Sequence, residues 1–356
     1  DKIVWEDYRK GNADIYMYDL SANTESRITT NLSGQYSPAI YGDKIVWQDY
    51  RNGNADIYMY DISTNIENQI TTNLSDQYRQ AIYGDKIVWF DWRNNNSDIY
   101  MHNISTSTES RITTNLSNQF SPAIYGDKIV WEDYRKGNAD IYMYDLSANT
   151  ESRITTNLSG QYSPAIYGDK IVWQDYRNGN ADIYMYDLAT KNEYQITSNS
   201  SGQFEPKIYE NKIVWEDYRN GNADIYMREF WFIPSEPTGL IATPRDKQAI
   251  LTWQVSAKRT YDIIGYNIYR STIKGDFEET PINSTLIVET NYIVTNLENK
   301  TTYYFKIEAI DSQGNKSDFS DEIFVTPYLG SYFQFGPEIQ ITTNSSGQYL
   351  PAIYGD

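Results

Sequence analysis

Apolar and polar positions follow one pattern that returns every 42 residues along most of the chain. Asp-Lys-Ile-Val-Trp begins at residues 1, 43, 85, 127 and 169, and Asn-Lys-Ile-Val-Trp at 211. One unit divides into four strands at its turn residues. SPAIYG (37–42) is strand A, KIVWQDYR (44–51) strand B, ADIYMYDI (55–62) strand C and QITTN (69–73) strand D. Gly42-Asp43 makes a tight turn from A to B, and the Asn-Gly of RNGN (51–54) predicts a hairpin from B to C. The loop 73–77 then crosses to the next unit. Strands B and C are apolar on both faces: Ile45 and Trp47 oppose Val46, and Tyr58 and Tyr60 oppose Ile57 and Met59. Such strands belong in a sheet covered on both sides. A four-stranded unit of this period fits a propeller blade, whose neighbours supply that cover. A TIM barrel would need helical segments between strands. An open solenoid would leave apolar end faces unless caps lay outside this sequence.

Counting strands closes the ring. B strands begin at 2, 44, 86, 128, 170 and 212, and A strands near 36, 78, 120, 162, 204 and 349. The sixth A strand lies in the tail, where ITTNSSGQYLPAIYGD (341–356) matches ITTNLSGQYSPAIYGD (28–43). The expected fold is all-β: a six-bladed β-propeller closed by its C-terminal strand, built from residues 1–233 and 336–356.

The repeat breaks after Met227, and strand D of that blade resumes near Glu338. Between them, residues 234–328 carry strand signals of another kind. Trp253, followed by Leu297, Thr301, Tyr303, Phe305, Ile307 and Ala309 in alternation, resembles a fibronectin type III domain. The resemblance implies an immunoglobulin-like β-sandwich, inserted in the C–D hairpin of the last blade, with Trp253 as a core residue and Tyr303 as its tyrosine corner. It implies a spacer or interaction module. Phe230, Trp231 and Phe232 lead out, and Tyr328, Tyr332, Phe333 and Phe335 lead back. Flexible linkers are rich in Gly and Ser, so these aromatics are expected to pack between the domains.

The unit GDKIVWQDYRNGNADIYMYDIST (42–64) resembles TolB-type propeller repeats, and the tandem repeats of surface and surface-layer proteins of methanogenic archaea. That resemblance implies a cell-surface location and a structural or adhesive role. It transfers no catalytic site.

Composition narrows the chemistry. The 34 Tyr and 9 Trp suit pleated sheets. There is no Cys and a single His, His102, which removes disulfides, thiolate chemistry and most zinc and triad arrangements. A formal net charge of −18 disfavours nucleic acid and anionic membranes as partners. No apolar stretch is long enough to span a membrane as a helix, and no signal peptide is recognisable. A start in mid-repeat reads as a mature product or a fragment. No cofactor or metal is expected.

Several repeated motifs admit two readings. Asp7, Tyr8, Arg9 and Asp14 recur in each B–C hairpin. They make either a ring of ligand or calcium sites, or an ion-pair network in which Arg neutralises the carboxylates. Gln35, Gln77, Gln119, Gln161, Gln203 and Gln348 precede the A strands and would ring one mouth of the channel as sugar-binding amides, or bond neighbouring loops. Asn31, Asn73, Asn115, Asn157, Asn199 and Asn344 are candidate glycosylation sites, as are Asn95, Asn103, Asn283, Asn299 and Asn315. Asn-x-Ser is also ordinary turn chemistry. Departures from the repeat gather in the third blade: Arg79, Gln80, Phe90, Trp92, Asn94, Asn95, Asn96 and His102. Arg79 and Gln80 begin strand A, and Trp92 and Arg93 end strand B, so all four are expected at one face. An asymmetric ligand requires such broken symmetry, and drift in one repeat would also produce it. No carboxylate pair stands apart from the repeats as a glycosidase would require.

These readings converge on a non-catalytic cell-surface structural or interaction protein, with other surface proteins or glycans as partners. A carbohydrate-binding propeller using the channel mouth is the alternative. A glycan hydrolase or lyase with a site in the third blade comes third.

Overall fold

A computed structural model describes residues 1–231, 233–258, 261–330 and 347. Its regular elements are all β-strands. The chain divides into two units, Asp1–Phe230 and Trp231–Asp356.

The first unit holds six antiparallel sheets. The second sheet shows the repeat complete, in the order Gln35–Tyr41, Lys44–Asp49, Asp56–Asp61, Ile66–Gln69. The third, fourth and fifth have the same four strands. The first shows Lys2–Asp7, Asp14–Asp19 and Thr24–Arg27, and the sixth Gln203–Tyr209, Lys212–Asp217 and Asp224–Glu229. The strand expected from the tail for the first sheet, and strand D expected near Glu338 for the sixth, lie outside the described residues.

Local chemistry sets each strand boundary. Tyr41 pairs with Lys44, so Gly42-Asp43 is the whole A–B turn, with Gly42 at φ 58°. The B–C connection differs from the tight Asn-Gly hairpin that the sequence suggests. Asp49 pairs with Asp56, and residues 50–55 form a longer loop. The Asp49 carboxylate is the reason: its Oδ1 accepts the Arg51 N–H at 3.0 Å and winds the chain out of the strand two residues early. Strand A carries a bulge between Tyr36 and Ala39, with Ser37 at φ 52°. Arg79, Ser121, Ser163 and Glu205 take the same left-handed conformation in the next four sheets. A bulge re-aims the side chain it contains.

Inside each sheet the Asp and Arg of the B–C hairpin signature form a clamp. Trp47 Nε1 donates to Asp49 Oδ2 at 3.0 Å. Asp49 is fully buried and paired with Arg51 at 2.6 Å. Arg51 reaches Glu67 at 2.5 Å and lies 4.2 Å over the Tyr58 ring. The first sheet repeats this with Arg9 on Asp7 and Glu25, while Asp14 pairs with Arg27. These carboxylates are therefore engaged by arginine.

Sheet-to-sheet packing uses both faces. Ile15 and Met17 of the first sheet pack on Ile45, Trp47 and Tyr58 of the second. Val46, Ile57 and Met59 of the second pack on Ile82, Ile87, Trp89 and Tyr100 of the third. The end sheets depart from this. Ile225 is 74% exposed and Met227 55%, whereas Ile15, Ile57, Ile99, Ile141 and Ile183 at the equivalent position are fully buried. Ile3, equivalent to the fully buried Ile45, is 52% exposed. Near the end of strand A, the rings of Tyr41, Tyr83, Tyr125, Tyr167 and Tyr209 meet in sequence, tilted by 47–56°, with centroids 4.6–5.0 Å apart.

The second unit contains two three-stranded sheets: Thr238–Arg245, Gln248–Gln254 and Asn291–Val294; and Ile263–Ser271, Tyr303–Asp311 and Ile323–Val325. Trp253, Leu297, Phe305, Ile307 and Ala309 lie in its core. The Tyr303 hydroxyl accepts the Glu298 N–H at 2.9 Å, a tyrosine corner. Of the flanking aromatics, Trp231 and Tyr328 are exposed. Phe232, Tyr332, Phe333 and Phe335 lie outside the described residues.

Candidate ligand-binding site

The bulge in strand A and the penultimate residue of strand B create one polar layer. Glu6 Oε2 accepts the Ser37 N–H of the next sheet at 3.0 Å, Glu132 Oε1 that of Ser163 at 2.8 Å, and Gln174 Oε1 that of Glu205 at 3.2 Å. These three left-handed bulge residues are thus fixed by the sheet before them. Around this layer stand aromatics from the start of strand A and just past the end of strand B. Tyr36 meets Tyr50 edge-on, Tyr162 meets Tyr176 and Phe204 meets Tyr218, at 5.5–5.6 Å.

The symmetry fails at the third sheet. Phe90 takes the place of the Glu or Gln and packs 5.3 Å from Phe120. Arg79 takes the bulge position held by Ser in the sheets on either side. A cavity of about 430 Å³ opens here, lined by Arg79, Phe90, Phe120, Ser121, Glu132 and Tyr162, with Ser163, Gln174 and Tyr176 completing the wall. Glu132 is 94% buried, being 6% exposed. Burial pushes its carboxyl above the usual carboxylate range, against the Ser163 N–H, the Ser121 hydroxyl and the charge of Arg79. Glu205, held by the Ser163 hydroxyl at 2.9 Å, adds a repulsion that raises it further. Aromatic faces, a buried acid, an amide, hydroxyls and a guanidinium converge on one concavity, a composition that suits a polar ligand with flat apolar faces.

The residues expected at this face divide. Arg79 lines the cavity. Trp92 is 39% exposed and sits 5.7 Å from Phe120, at the cavity's edge. Gln80 does not reach the site: where other sheets have proline, its buried amide donates to the Ser37 carbonyl of the preceding sheet. Arg93 turns away into its own clamp with Asp91, Glu109 and Tyr100. Asn94 and Asn96 bond Asp98, as Asn52 and Asn54 bond Asp56, so they are repeat residues rather than departures from it. Asn95 occupies the left-handed position of Gly53. His102 pairs across the strand with Glu109, and burial lowers its pKa.

The glutamine ring is corrected. Gln35, Gln77, Gln119, Gln161 and Gln203 are fully buried, and their amides donate to the carbonyls of Ser33, Ser75, Ser117, Ser159 and Ser201. They brace loops and present nothing to a ligand. Gln348 lies outside the described residues. Asn31, Asn73, Asn115, Asn157 and Asn199 accept the N–H two residues on at 2.9–3.0 Å, which is turn chemistry. Asn344 lies outside the described residues. Asn283 is buried, with its side chain bonded to Ile268, Tyr266 and Thr285, so no glycan fits there. Asn103, Asn299 and Asn315 hold local turns and contacts.

Glu132, Ser121, Ser163, Glu205 and the aromatics Phe120, Tyr162 and Tyr176 were not singled out from the sequence; Phe90 was. Variation between near-identical repeats at two positions is the signal for them. The series Glu6, Gln48, Phe90, Glu132, Gln174, Glu216 and the series Ser37, Arg79, Ser121, Ser163, Glu205 change from sheet to sheet, while the strand residues Lys-Ile-Val-Trp before the first series recur in every sheet.

Comparison with known proteins places both units. Residues 235–326 match the family model of the fibronectin type III domain. Over 94 residues the chain is 32% identical to an amylopullulanase of Thermoanaerobacterium saccharolyticum, covering 26% of this chain and 7% of that protein. TolB from Acinetobacter baumannii superimposes with a TM-score of 0.52 at 19% identity, covering 64% of this chain and 61% of that one. The β-propeller domain of the Trilobed protease from Pyrococcus furiosus gives 0.51 at 15% identity, covering 64% and 77%. The chain therefore joins a fold similar to TolB-like propellers with a fibronectin type III domain.

Proposed function

We propose that the chain is an extracellular, non-catalytic interaction protein of a cell surface. The repeats form a six-bladed propeller closed by the tail, which acts as a rigid platform, and the fibronectin type III domain is its binding arm. One observation carries this reading. The polar groups that recur in every blade are engaged inside the blade, in clamps such as Trp47–Asp49–Arg51–Glu67 and in buried amides such as Gln35. Repetition here builds stiffness, as a scaffold requires. Closure is supported by complementary end faces. Val214, Ile225 and Met227 on the sixth sheet, and Ile3, Trp5 and Tyr16 on the first, are the residue types that bury one another at the preceding junctions. Relatedness to archaeal surface-layer proteins belongs to the same proposal and rests on the repeat unit alone.

The test is direct. The purified chain should co-sediment with isolated cell envelopes of its source organism and release no product from their polysaccharides or proteins. A chain that stays in the supernatant, or one that cuts its target, removes the proposal.

A second reading is that the mouth at Arg79 and Glu132 binds carbohydrate. The cavity beside Phe90, Phe120, Tyr162 and Tyr176 favours it. Trp92 stands at its edge, so a glycan should change tryptophan fluorescence. A flat titration across cell-wall sugars would count against it.

A further inference from the structure

We infer that the mouth cavity recognises a carboxylate-bearing sugar, a uronic acid unit of a glycan, with Arg79 receiving the carboxylate. This rests on the carbohydrate reading of the same cavity and adds the class of ligand.

The first ground is the state of Arg79. Arg9, Arg27, Arg51, Arg93, Arg111, Arg135, Arg153, Arg177 and Arg219 are each in an ion pair. Arg228 bonds the Ile196 carbonyl. Among the described residues of the first unit, Arg79 is the arginine with neither, and it is exposed on the cavity wall.

The second ground is independent of Arg79's side chain. At Ser37, Ser163 and Glu205 the bulge N–H meets a side-chain acceptor from the preceding sheet. At Ser121 the residue at the acceptor's position in the preceding sheet is Phe90, whose side chain has no acceptor, and the Ser121 N–H has no side-chain acceptor among the described residues. One wall thus offers a guanidinium fork and a backbone donor without a side-chain partner, the pattern that recognises a planar oxyanion. The same cavity carries the acceptors Glu132 and Gln174, suited to hydroxyl donors, and Glu205 lies beside them on the Ser163 hydroxyl. Those two acids would repel a phosphate dianion more than a single carboxylate. The aromatic faces of Phe120 and Tyr162 suit a pyranose ring rather than a mobile acidic side chain.

Isothermal titration of the whole chain with tri-galacturonate, galactotriose and an oligo-aspartate peptide tests this. Tri-galacturonate should bind at least tenfold tighter than either other probe. Arg79→Ser, which installs the residue found at 37, 121 and 163, should lose about tenfold for tri-galacturonate, and that loss should exceed any loss for galactotriose. Phe90→Glu, which restores an acceptor for Ser121, should also weaken the uronate. Unchanged uronate affinity in Arg79→Ser, with an unaltered melting curve, would overturn the inference. So would equal binding of galactotriose, while leaving the carbohydrate reading intact. Preference for the peptide, or no sugar binding at all, removes both.

Discussion

Trp131 donates its indole N–H to Oδ2 of Asp133 at 3.0 Å, inside a sheet where the carboxylate is fully buried. The same oxygen meets Arg135 at 2.6 Å. Removing one member of such a buried group strands the others. Asp133→Ala leaves an arginine without its buried partner and an indole N–H without an acceptor, and should cost about 3 kcal/mol. Asp133→Asn keeps an oxygen for Trp131 and should cost roughly half as much. Urea unfolding of the whole chain measures both. An alanine variant within about 0.5 kcal/mol of the parent would show that the clamp is ornamental.

Acid should release the clamp of the sixth sheet. Hydrogen bonds from Arg219 hold the Asp217 carboxyl down at about 2, below the unfolded value near 3.9. A depressed folded pKa contributes stability that is complete above about pH 4 and is lost as pH falls toward 2. The stability difference between parent and Asp217→Asn should therefore shrink across that window. His102 acts earlier. Burial lowers its pKa, so the unfolded chain binds the proton more tightly, and stability falls as pH drops below about 6.5. His102→Tyr, the residue at 18, 60, 144 and 186, should abolish that step. A persisting step would assign it elsewhere.

The architecture was largely legible because each turn repeats. Gly42-Asp43 and the two-faced strands around Trp47 each predict one element, and the same elements recur in the next sheets. The site was less legible for a physical reason. Residues 1–42 and 127–168 are identical, so no inspection of Glu132 by itself distinguishes it from Glu6. Glu132 becomes special through the sheets beside it, which place Arg79 and Phe90 around its cavity and the charge of Glu205 near its carboxyl. Gln35 misled in the opposite direction. A polar residue at the start of an inner strand reads as a mouth residue, yet it pairs with Asp49 and turns inward. The Asn-Gly hairpin was overruled by Asp49, whose capping of Arg51 no turn propensity contains.

Glu210 offers a test of backbone strain. It has φ 52° at the A–B turn, where Gly42, Gly84, Gly126 and Gly168 have φ 57–59°. A side chain is disfavoured in this region and glycine is not. Glu210→Gly should stabilise the first unit by about 1 kcal/mol. Glu210→Ala removes the charge and keeps the Cβ, so it should gain little. Equal gains in both variants would attribute the effect to charge instead.

A single isoleucine pair tests whether the ring closes. Ile183 of the fifth sheet is fully buried, and Ile225, one repeat later, is 74% exposed. Val130, Ile141 and Met143 cover Ile166, Ile171, Trp173 and Tyr184 across one junction. The sixth sheet offers Val214, Ile225 and Met227 for the same purpose, and the first sheet offers Ile3, Trp5 and Tyr16 to receive them. If the first and sixth sheets meet, Ile225→Ala should cost about as much as Ile183→Ala, which is about 3 kcal/mol for a buried isoleucine. If that face stays open to water, the same substitution should change stability by less than about 0.5 kcal/mol. Denaturant unfolding of the two variants side by side decides between them. Ile3→Ala serves as the control from the other lip: in a closed ring it is costly too, and combined with Ile225→Ala it should be less than additive, because both belong to one junction. Full additivity of two costly changes would mean that each face is buried against something other than its counterpart.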